Sequence, residues 1–577
     1  MSSCEDEAQQ SEEISRPNVI LILTDDQGWG DLSINGNTNL QTPHIDQIGR
    51  QGAIFDRFYV SPVCSPTRAE LLTGRYAVRG GIYSTSEGGE RLDLDEVTVA
   101  DIFKENGYRT AAFGKWHNGM QYPYHPNGRG FEEFYGFCSG HWGSYFDPML
   151  EHNGQIVQGE GFLVDDLTSH ALGFIEEHQE DPFFVYLPYN TPHSPMQVPE
   201  SYWHAFENKE LGLHYDGEKE DLLHTKAALA LCENIDHNVG RIMDKLDVLN
   251  LAENTILIYL SDNGPNGWRW NGGMKGKKGS TDEGGVRSPL MMRWPGKIEP
   301  GLMVDKISSA LDLLPTLTAM ASIEYESVKE LDGRSLTPLL MGEDGPWNER
   351  VRINHWRGNT SVRSQRFLLD DEDQLFDMLI DPGQESNIAE EAPGIVDFLT
   401  AEKETWIASV LAELPSEDTR SFPVGHPDFR YTQVPARDGI PHGNIERSNR
   451  FPNCTYFTNW ISQDDSISWD VEVLKSGLYE VVLYYTCPVE SVGSVISVKF
   501  GDAVISGTIE NANDPPETGM EYDRSPRMES YVKDFKPMVV GKLELVEGTG
   551  ELVLRCSQMV GPQVMDVRLM MINRVGS

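Results

Sequence analysis

Four short apolar runs constrain this chain more than any other feature: "NVILILT" (18–24), "YRTAAFG" (108–114), "PFFVYLPY" (182–189) and "NTILIYLS" (254–261). They are rich in β-branched and aromatic residues and lack polar alternation, so each predicts a strand covered on both faces. Helical stretches lie between them. "TVADIFKENG" (98–107) ends on a glycine suited to capping, and "TKAALALCENIDHNVGRIMDKLDVLN" (225–250) carries apolar residues at helical spacing. Strands of this kind alternating with helices predict an α/β fold around a parallel or mostly parallel central sheet. In such sheets ligands collect at the carboxyl ends of the strands.

The last part of the chain differs in kind. From about residue 440 the pattern turns to short alternating strands, among them "SISWDVEVL", "GLYEVVLYYT", "GSVISVKFGD" and "KLELVEGTGELVLRC". Regular spacing with Gly-containing turns predicts a β-sandwich. The stretch "RSFPVGHPDFRYTQVPARDGIPHG" (420–443) predicts an extended linker. The expected organisation is a polar tail (1–17), an α/β domain (18–345), a small subdomain with linker (346–435) and an accessory β-sandwich (436–577).

Composition narrows the partners. A chain of 577 residues with 47 basic and 90 acidic side chains carries a formal charge of −43. That charge argues against nucleic acid or anionic membranes as partners, and any anionic ligand must be caught by a local basic cluster. No apolar run approaches the roughly 18 residues of a membrane-spanning helix. The cysteines (Cys4, Cys64, Cys138, Cys232, Cys454, Cys487 and Cys556) form no CxxC pair and no disulfide framework. The acidic tail "MSSCEDEAQQSEEISRP" is expected to be disordered. Its small residues before Cys4, followed by an acidic spacer, are similar to the remnant of a bacterial lipoprotein cleavage site. That implies a periplasmic or cell-surface protein anchored through Cys4; a plain solvated tail is the alternative.

The chemistry sits where the four strands end. Asp25 and Asp26 follow the first strand and Asp262 and Asn263 follow the 254–261 strand. Four oxygen donors from two strand ends suit a hard cation, Ca²⁺ or Mg²⁺, although Asp and Asn before Gly also make turns. The 108–114 strand runs into Lys115 and His117, and the 182–189 strand into His193. These could receive an anion and supply acid and base functions. "GMKGKKGSTDEGGVRSP" (273–289) is a Gly-rich loop with Lys275, Lys277 and Lys278, open to close oxyanion approach or simply flexible. It contains no Walker-type pattern.

Cys64, in "SPVCSPTRAELLTGR" (61–75), fits neither a core, a disulfide nor a zinc site. Cys-x-Pro-x-Arg followed by "LLTGR" resembles the signature of the type I sulfatases, in which this cysteine is oxidised to formylglycine (3-oxoalanine). "TDDQGWGDL", "GKWH", "TPHSP", "SDNG", "KGSTDEGGVRSP", "DLLPTL" and "QLFDMLIDPGQESNIAE" follow in the family's order along most of residues 18–390. The resemblance implies an alkaline-phosphatase-like sulfatase fold with a small α+β C-terminal subdomain, to which the sandwich is an addition.

It also implies roles. Asp25, Asp26, Asp262 and Asn263 would hold Ca²⁺ (Mg²⁺ is the alternative), with modified Cys64 facing the ion. Cys64, as the formylglycine hydrate, would attack sulfur, with Arg68 and Lys115 holding the attacking hydroxyl. His117 would take the proton of the second hydroxyl, and His193 and Lys278 would assist the leaving alcohol. A maturation enzyme that generates formylglycine becomes an obligatory partner. The logic is physical: an alkoxide would leave a stable sulfate ester on the protein, whereas a geminal diol expels sulfate by elimination. Arg68, Lys115 and Lys278 reverse the local negative charge of the carboxylates, so an anion can enter.

Other readings are a broad arylsulfatase, a phosphohydrolase of the alkaline-phosphatase superfamily, and a non-catalytic binding protein on the same scaffold. A cysteine phosphatase needs arginine where Glu70 stands. For substrate, the expectation is a sulfated carbohydrate, an algal oligosaccharide. It rests on the additional sandwich domain, which either binds carbohydrate or merely packs on the α/β domain, and on the aromatic clusters "SGHWGSYFDP" (139–148), "NGWRWNGG" (266–273) and "NHWRG" (354–358), which could equally be core packing. "SGHWGSYFDPMLEHNG" also resembles sulfatases acting on ulvan or carrageenan.

Overall fold

The computed structural model describes residues 16–215, 218–342, 347–528 and 531–576. Cys4 and its tail lie outside the described residues. The four apolar runs become strands Thr255–Ser261, Asn18–Thr24, Phe183–Pro188 and Arg109–Lys115, and they are neighbours in that order. All three contacts between them are parallel. Glu133–Phe137 adds a fifth parallel strand beyond Arg109–Lys115. Antiparallel strands extend the sheet at both edges, to ten in all, so it is mixed at its margins and parallel at its centre.

The unbroken apolarity of Asn18–Thr24 follows from its position. Ile20 and Ile22 enter a core shared with helices Leu163–Glu177 and Leu222–Val248, while Val19, Leu21 and Leu23 face helices Val99–Glu105 and Leu313–Met320 on the other side. Each such side chain removed from water contributes about 1.5–3 kcal/mol, so neither face tolerates a polar residue. Among the described residues no helix is long and apolar enough to cross a membrane.

A four-stranded antiparallel sheet, Arg352–Trp356 to Leu375–Asp377, packs with helix Pro393–Ser409 around Leu369, Leu375 and Leu399. Beyond it, two six-stranded sheets enclose one core, in which Val471, Val498 and Leu554 of one sheet meet Val481, Leu543 and Ile572 of the other. The stretch expected to be a linker is instead part of this sandwich. Phe422–Val424 and Ile440–His442 pair with Ser466–Val473, and Tyr431–Pro435 pairs with Asp566–Arg574. Pro423, Pro435 and Pro441 are tolerated because these short strands carry few ladder bonds.

Candidate active site

Register brings the acids together. Thr24 lies opposite Ser261, so Asp25 and Asp262 leave adjacent strand ends side by side. Backbone pairing continues past those ends: Asp262 N donates to Thr24 O (3.0 Å) and Asp25 N to Thr191 O (3.1 Å). Asp26 then turns with φ +66°, a left-handed conformation that a non-glycine residue adopts at some energetic cost. Arg269 holds this turn, donating to the Asp26 carbonyl (3.0 Å) while its guanidinium pairs with buried Asp31 (2.6 Å). Nothing in the spacing of "NGWRWNGG" pointed to Arg269.

Cys64 opens helix Cys64–Thr73, every residue of which is buried. Arg68, four residues on, lies on the same face one turn away. Its Nη2 donates to Asp262 Oδ2 (2.7 Å) and its Nη1 to the Lys115 carbonyl (2.6 Å). Lys115 Nζ in turn reaches Asp25 Oδ2 (2.5 Å). The Cys64 sulfur and carboxylate oxygens of Asp25 and Asp262 lie within 4.8 Å of one another. Lys278 Nζ sits 2.6 Å from Asp26 Oδ1, and His193 Nε2 sits 3.7 Å from Asp26 Oδ2. Asn263 Nδ2 donates to Asp26 Oδ1 (2.8 Å). The other two lysines of the loop go elsewhere, Lys275 to Asp282 (3.2 Å) and Lys277 over the Trp268 ring (5.3 Å).

Three oxygens of this cluster, Asp25 Oδ1, Asp26 Oδ2 and Asn263 Oδ1, are buried yet accept no hydrogen bond among the described residues. Orphaned buried acceptors are costly, and an all-oxygen set of this kind fits a hard divalent cation. At Asp25 burial, which alone would raise it, is outweighed by Lys115 and then His193 and Arg68, so the carboxyl is held well below its usual range. At Asp262 burial and then the charge of Asp25 push the carboxyl up. Burial alone would lower Lys278, but Asp26 holds its ammonium above the usual range. His193 is lowered to about 4 by burial and then by Lys278.

His117, also at positive φ (+66°), points its Nε2 at the Thr85 carbonyl (2.8 Å). A carbonyl only accepts, so Nε2 carries the hydrogen and the buried Nδ1, which has no partner, keeps a free lone pair. Burial and then Lys115 hold this imidazole well below its ordinary range, so the base form persists. Cys64, His117, His193 and Lys278 line one cleft of about 520 Å³. His141, quoted in the sequence only as part of an aromatic cluster, lines it too and packs edge-on against His193 (5.5 Å).

The aromatic expectation is corrected in part. Trp356 lines the cleft, but Trp142 stacks on Phe137 (4.7 Å) and Trp270 lies against Trp29 (6.5 Å), away from it. The sandwich contributes residues that no sequence pattern singled out: Arg450, Phe451, Asn453, Arg527 and Met528 complete the cleft wall.

The sulfatase family matches residues 17–323, and the family described as N-sulphoglucosamine sulphohydrolase, C-terminal, matches residues 277–393. The chain is 32% identical over 381 residues to N-acetylgalactosamine-6-sulfatase of Canis lupus familiaris, covering 60% of this chain and 69% of that one. It is 34% identical over 365 residues to arylsulfatase A of Homo sapiens, covering 56% and 68%. Among solved structures, that of Ps i-CgsB in complex with k-i-k-neocarrahexaose superposes with a TM-score of 0.63 at 29% identity, covering 70% of this chain and 95% of that one. With its fold, its strand-end cluster and a family match over more than half its length, the chain belongs to the sulfatase family and is a sulfuric ester hydrolase.

Proposed function

We propose that the protein removes sulfate from a sulfated carbohydrate, an oligosaccharide of algal type, using Cys64 as formylglycine and Ca²⁺ held by Asp25, Asp26, Asp262 and Asn263. The observation that carries the reading is the meeting of a buried cysteine at a helix start with three carboxylates, an amide and the side chains of Arg68 and Lys115. Formylglycine at position 64 would supply a hydrated aldehyde as the nucleophile, and Ca²⁺ held by Asp25, Asp26, Asp262 and Asn263 would offset negative charge there.

The chain's own side chains do the rest. Arg68 and Lys115, each tied to an acid of the cluster, bring two fixed positive charges to the sulfur-side oxygens. His117 Nδ1 is the available base for the proton that must leave for sulfate to depart. Lys278, kept protonated by Asp26, is the cation placed to stabilise the leaving oxygen, with His193 beside it. The carbohydrate assignment is supported by the sugar-acting relatives named above and by the cations and Trp356 along the cleft.

The test is the mass of the Cys64 peptide from protein made together with a formylglycine-generating enzyme. It should show sulfur replaced by oxygen with loss of two hydrogens. Sulfate release from a panel of defined sulfated sugars, with Cys64→Ala as control, should follow that conversion. Full activity from protein retaining the thiol would overturn the mechanism, and turnover of aryl sulfates without any sulfated sugar would overturn the substrate.

A further inference from the structure

The cleft over Cys64 has a charge opposite to that of the molecule around it. Acids outnumber bases 90 to 47 in the chain, yet no Asp or Glu is among the residues lining this cleft. Lys278 lies in its inner part, and Arg357, Arg450 and Arg527 are exposed around its outer part, with Trp356 and Phe451 between them. Among the described residues, neither Arg357 nor Arg450 has a carboxylate within ion-pair distance. Each lies over the ring of its neighbour, Arg357 over Trp356 (5.5 Å) and Arg450 over Phe451 (4.6 Å). Among the described residues, the ion-pair partner of Arg527 is the distant Asp221, at 3.9 Å. In so acidic a chain, three weakly compensated guanidiniums around one opening require an explanation.

Two of them, Arg357 and Arg450, are also held in place. Arg357 and Gly358 form the two-residue turn between strands Arg352–Trp356 and Asn359–Arg363, with φ +50° and +91°. That turn type favours Asn or Gly at its first position, so an arginine there carries backbone strain at the lip of a functional cleft. Arg450 lies in the sandwich loop between Glu446–Arg447 and Phe457–Thr458. This loop is docked on the α/β domain by Asn453, which donates to Thr85 O (2.8 Å), and by Cys454, whose sulfur accepts from Gly143 N (3.2 Å). Side chains on anchored loops lose little freedom when they bind. A guanidinium fork matches the paired oxygens of a sulfate or a carboxylate.

The geometry points to a second anion subsite, formed by Arg357, Arg450 and Arg527, that holds a sulfate or carboxylate of the substrate other than the ester being cleaved. The inference rests on the carbohydrate-sulfatase reading and extends it: the substrate is a saccharide with at least two negative groups, and the sandwich is part of its binding site. The reaction site fixes one sulfate through Lys115, Arg68 and Lys278; the outer arginines select what is attached to it. Neither family match reaches the sandwich, since both end by residue 393, so these two of the three arginines are a feature of this chain's own extension.

The experiment compares kcat/KM for three oligosaccharides sharing one scissile sulfate ester: one with no other charge, one with a second sulfate and one with a carboxylate in its place. The native enzyme should favour a doubly charged substrate by about tenfold or more, through KM, because hydrogen bonds to charged groups are worth that much. The sulfate and carboxylate arms show which group the subsite takes. Arg450→Ala and Arg357→Ala should each lower that ratio several-fold, the triple variant that adds Arg527→Ala should bring it to about one, and Arg450→Lys should retain part of it; rising salt should erode it. Melting temperature checks that each variant folds. A native ratio near one, or variants that lower all three substrates equally, would overturn the subsite. If no saccharide is cleaved while aryl sulfates are, the carbohydrate reading fails instead. The subsite is then judged by the same ratio for an aryl sulfate with and without a ring sulfonate.

Discussion

His117 and Asn453, more than three hundred residues apart in the chain, bind the same carbonyl oxygen: His117 Nε2 and Asn453 Nδ2 each lie 2.8 Å from Thr85 O. The Asn453 amide oxygen accepts from Arg437 Nη1 (3.0 Å), and Arg437 pairs with buried Glu90 (2.5 Å). The proposed base in the α/β domain thus shares its anchoring carbonyl with a chain of groups that begins in the sandwich.

Removing that support should reduce turnover rather than binding. Asn453→Ala is expected to lower kcat by about 10- to 100-fold with little change in KM, the scale set by a small misplacement of a catalytic group. Asn453→Asp keeps an acceptor for Arg437 but loses the donor to Thr85, so it should fall equally. Steady-state kinetics on both variants decides the matter, and normal kcat in Asn453→Asp would rule out the donor's role.

Gly140 offers a steric test of the same base. A Cβ at this position would collide with the His117 ring and with Asn453 Nδ2. Gly140→Ala should therefore depress kcat by about 100-fold while shifting the melting temperature only slightly. An active Gly140→Ala enzyme would mean that His117 can move without penalty.

Chelation should both inactivate and loosen the protein. The orphaned oxygens of Asp25, Asp26 and Asn263 would lose the compensation that the proposed cation supplies, and a ligand at a hundredfold its dissociation constant stabilises by about 2.7 kcal/mol. Adding Ca²⁺ to chelator-treated protein should raise its melting temperature and restore activity, with Mg²⁺ weaker in both. Asp25→Ala should abolish the thermal response. A melting temperature indifferent to Ca²⁺ in the native chain would remove the metal from the account.

The pH profile carries a sign. Burial and Lys115 depress His117, so the neutral base is already present at pH values where an ordinary imidazole, near 6.5, would be charged. The proposed cation would push in the same direction. The acid limb of kcat/KM should therefore lie well below pH 6.5, and His117→Ala should lower the plateau. A limb at pH 6.5 that vanishes in His117→Ala would show the imidazole to be unperturbed.

The strands and the strand-end acids were legible because both are local signals. Uninterrupted apolarity reports a doubly covered strand, and an acid that follows such a strand falls at the sheet's carboxyl edge by connectivity alone. Arg68 was legible only through the resemblance of Cys-x-Pro-x-Arg to the sulfatase signature; the helical turn that sets it beside Cys64 is a finding of the structure. Asn453, Arg437 and Arg450 were not legible, because their role depends on how the sandwich docks, and no spacing in the sequence encodes that. The 420–443 stretch was misread because its strands are three to five residues long and interrupted by proline, too short for alternation to register.

Cys64 is only 3% exposed, and the whole helix that follows it is buried. No second protein can close around that side chain once the chain has collapsed, so its proposed oxidation belongs to the nascent polypeptide. Maturation then becomes a race against folding, and a molecule that folds first remains a thiol for its lifetime.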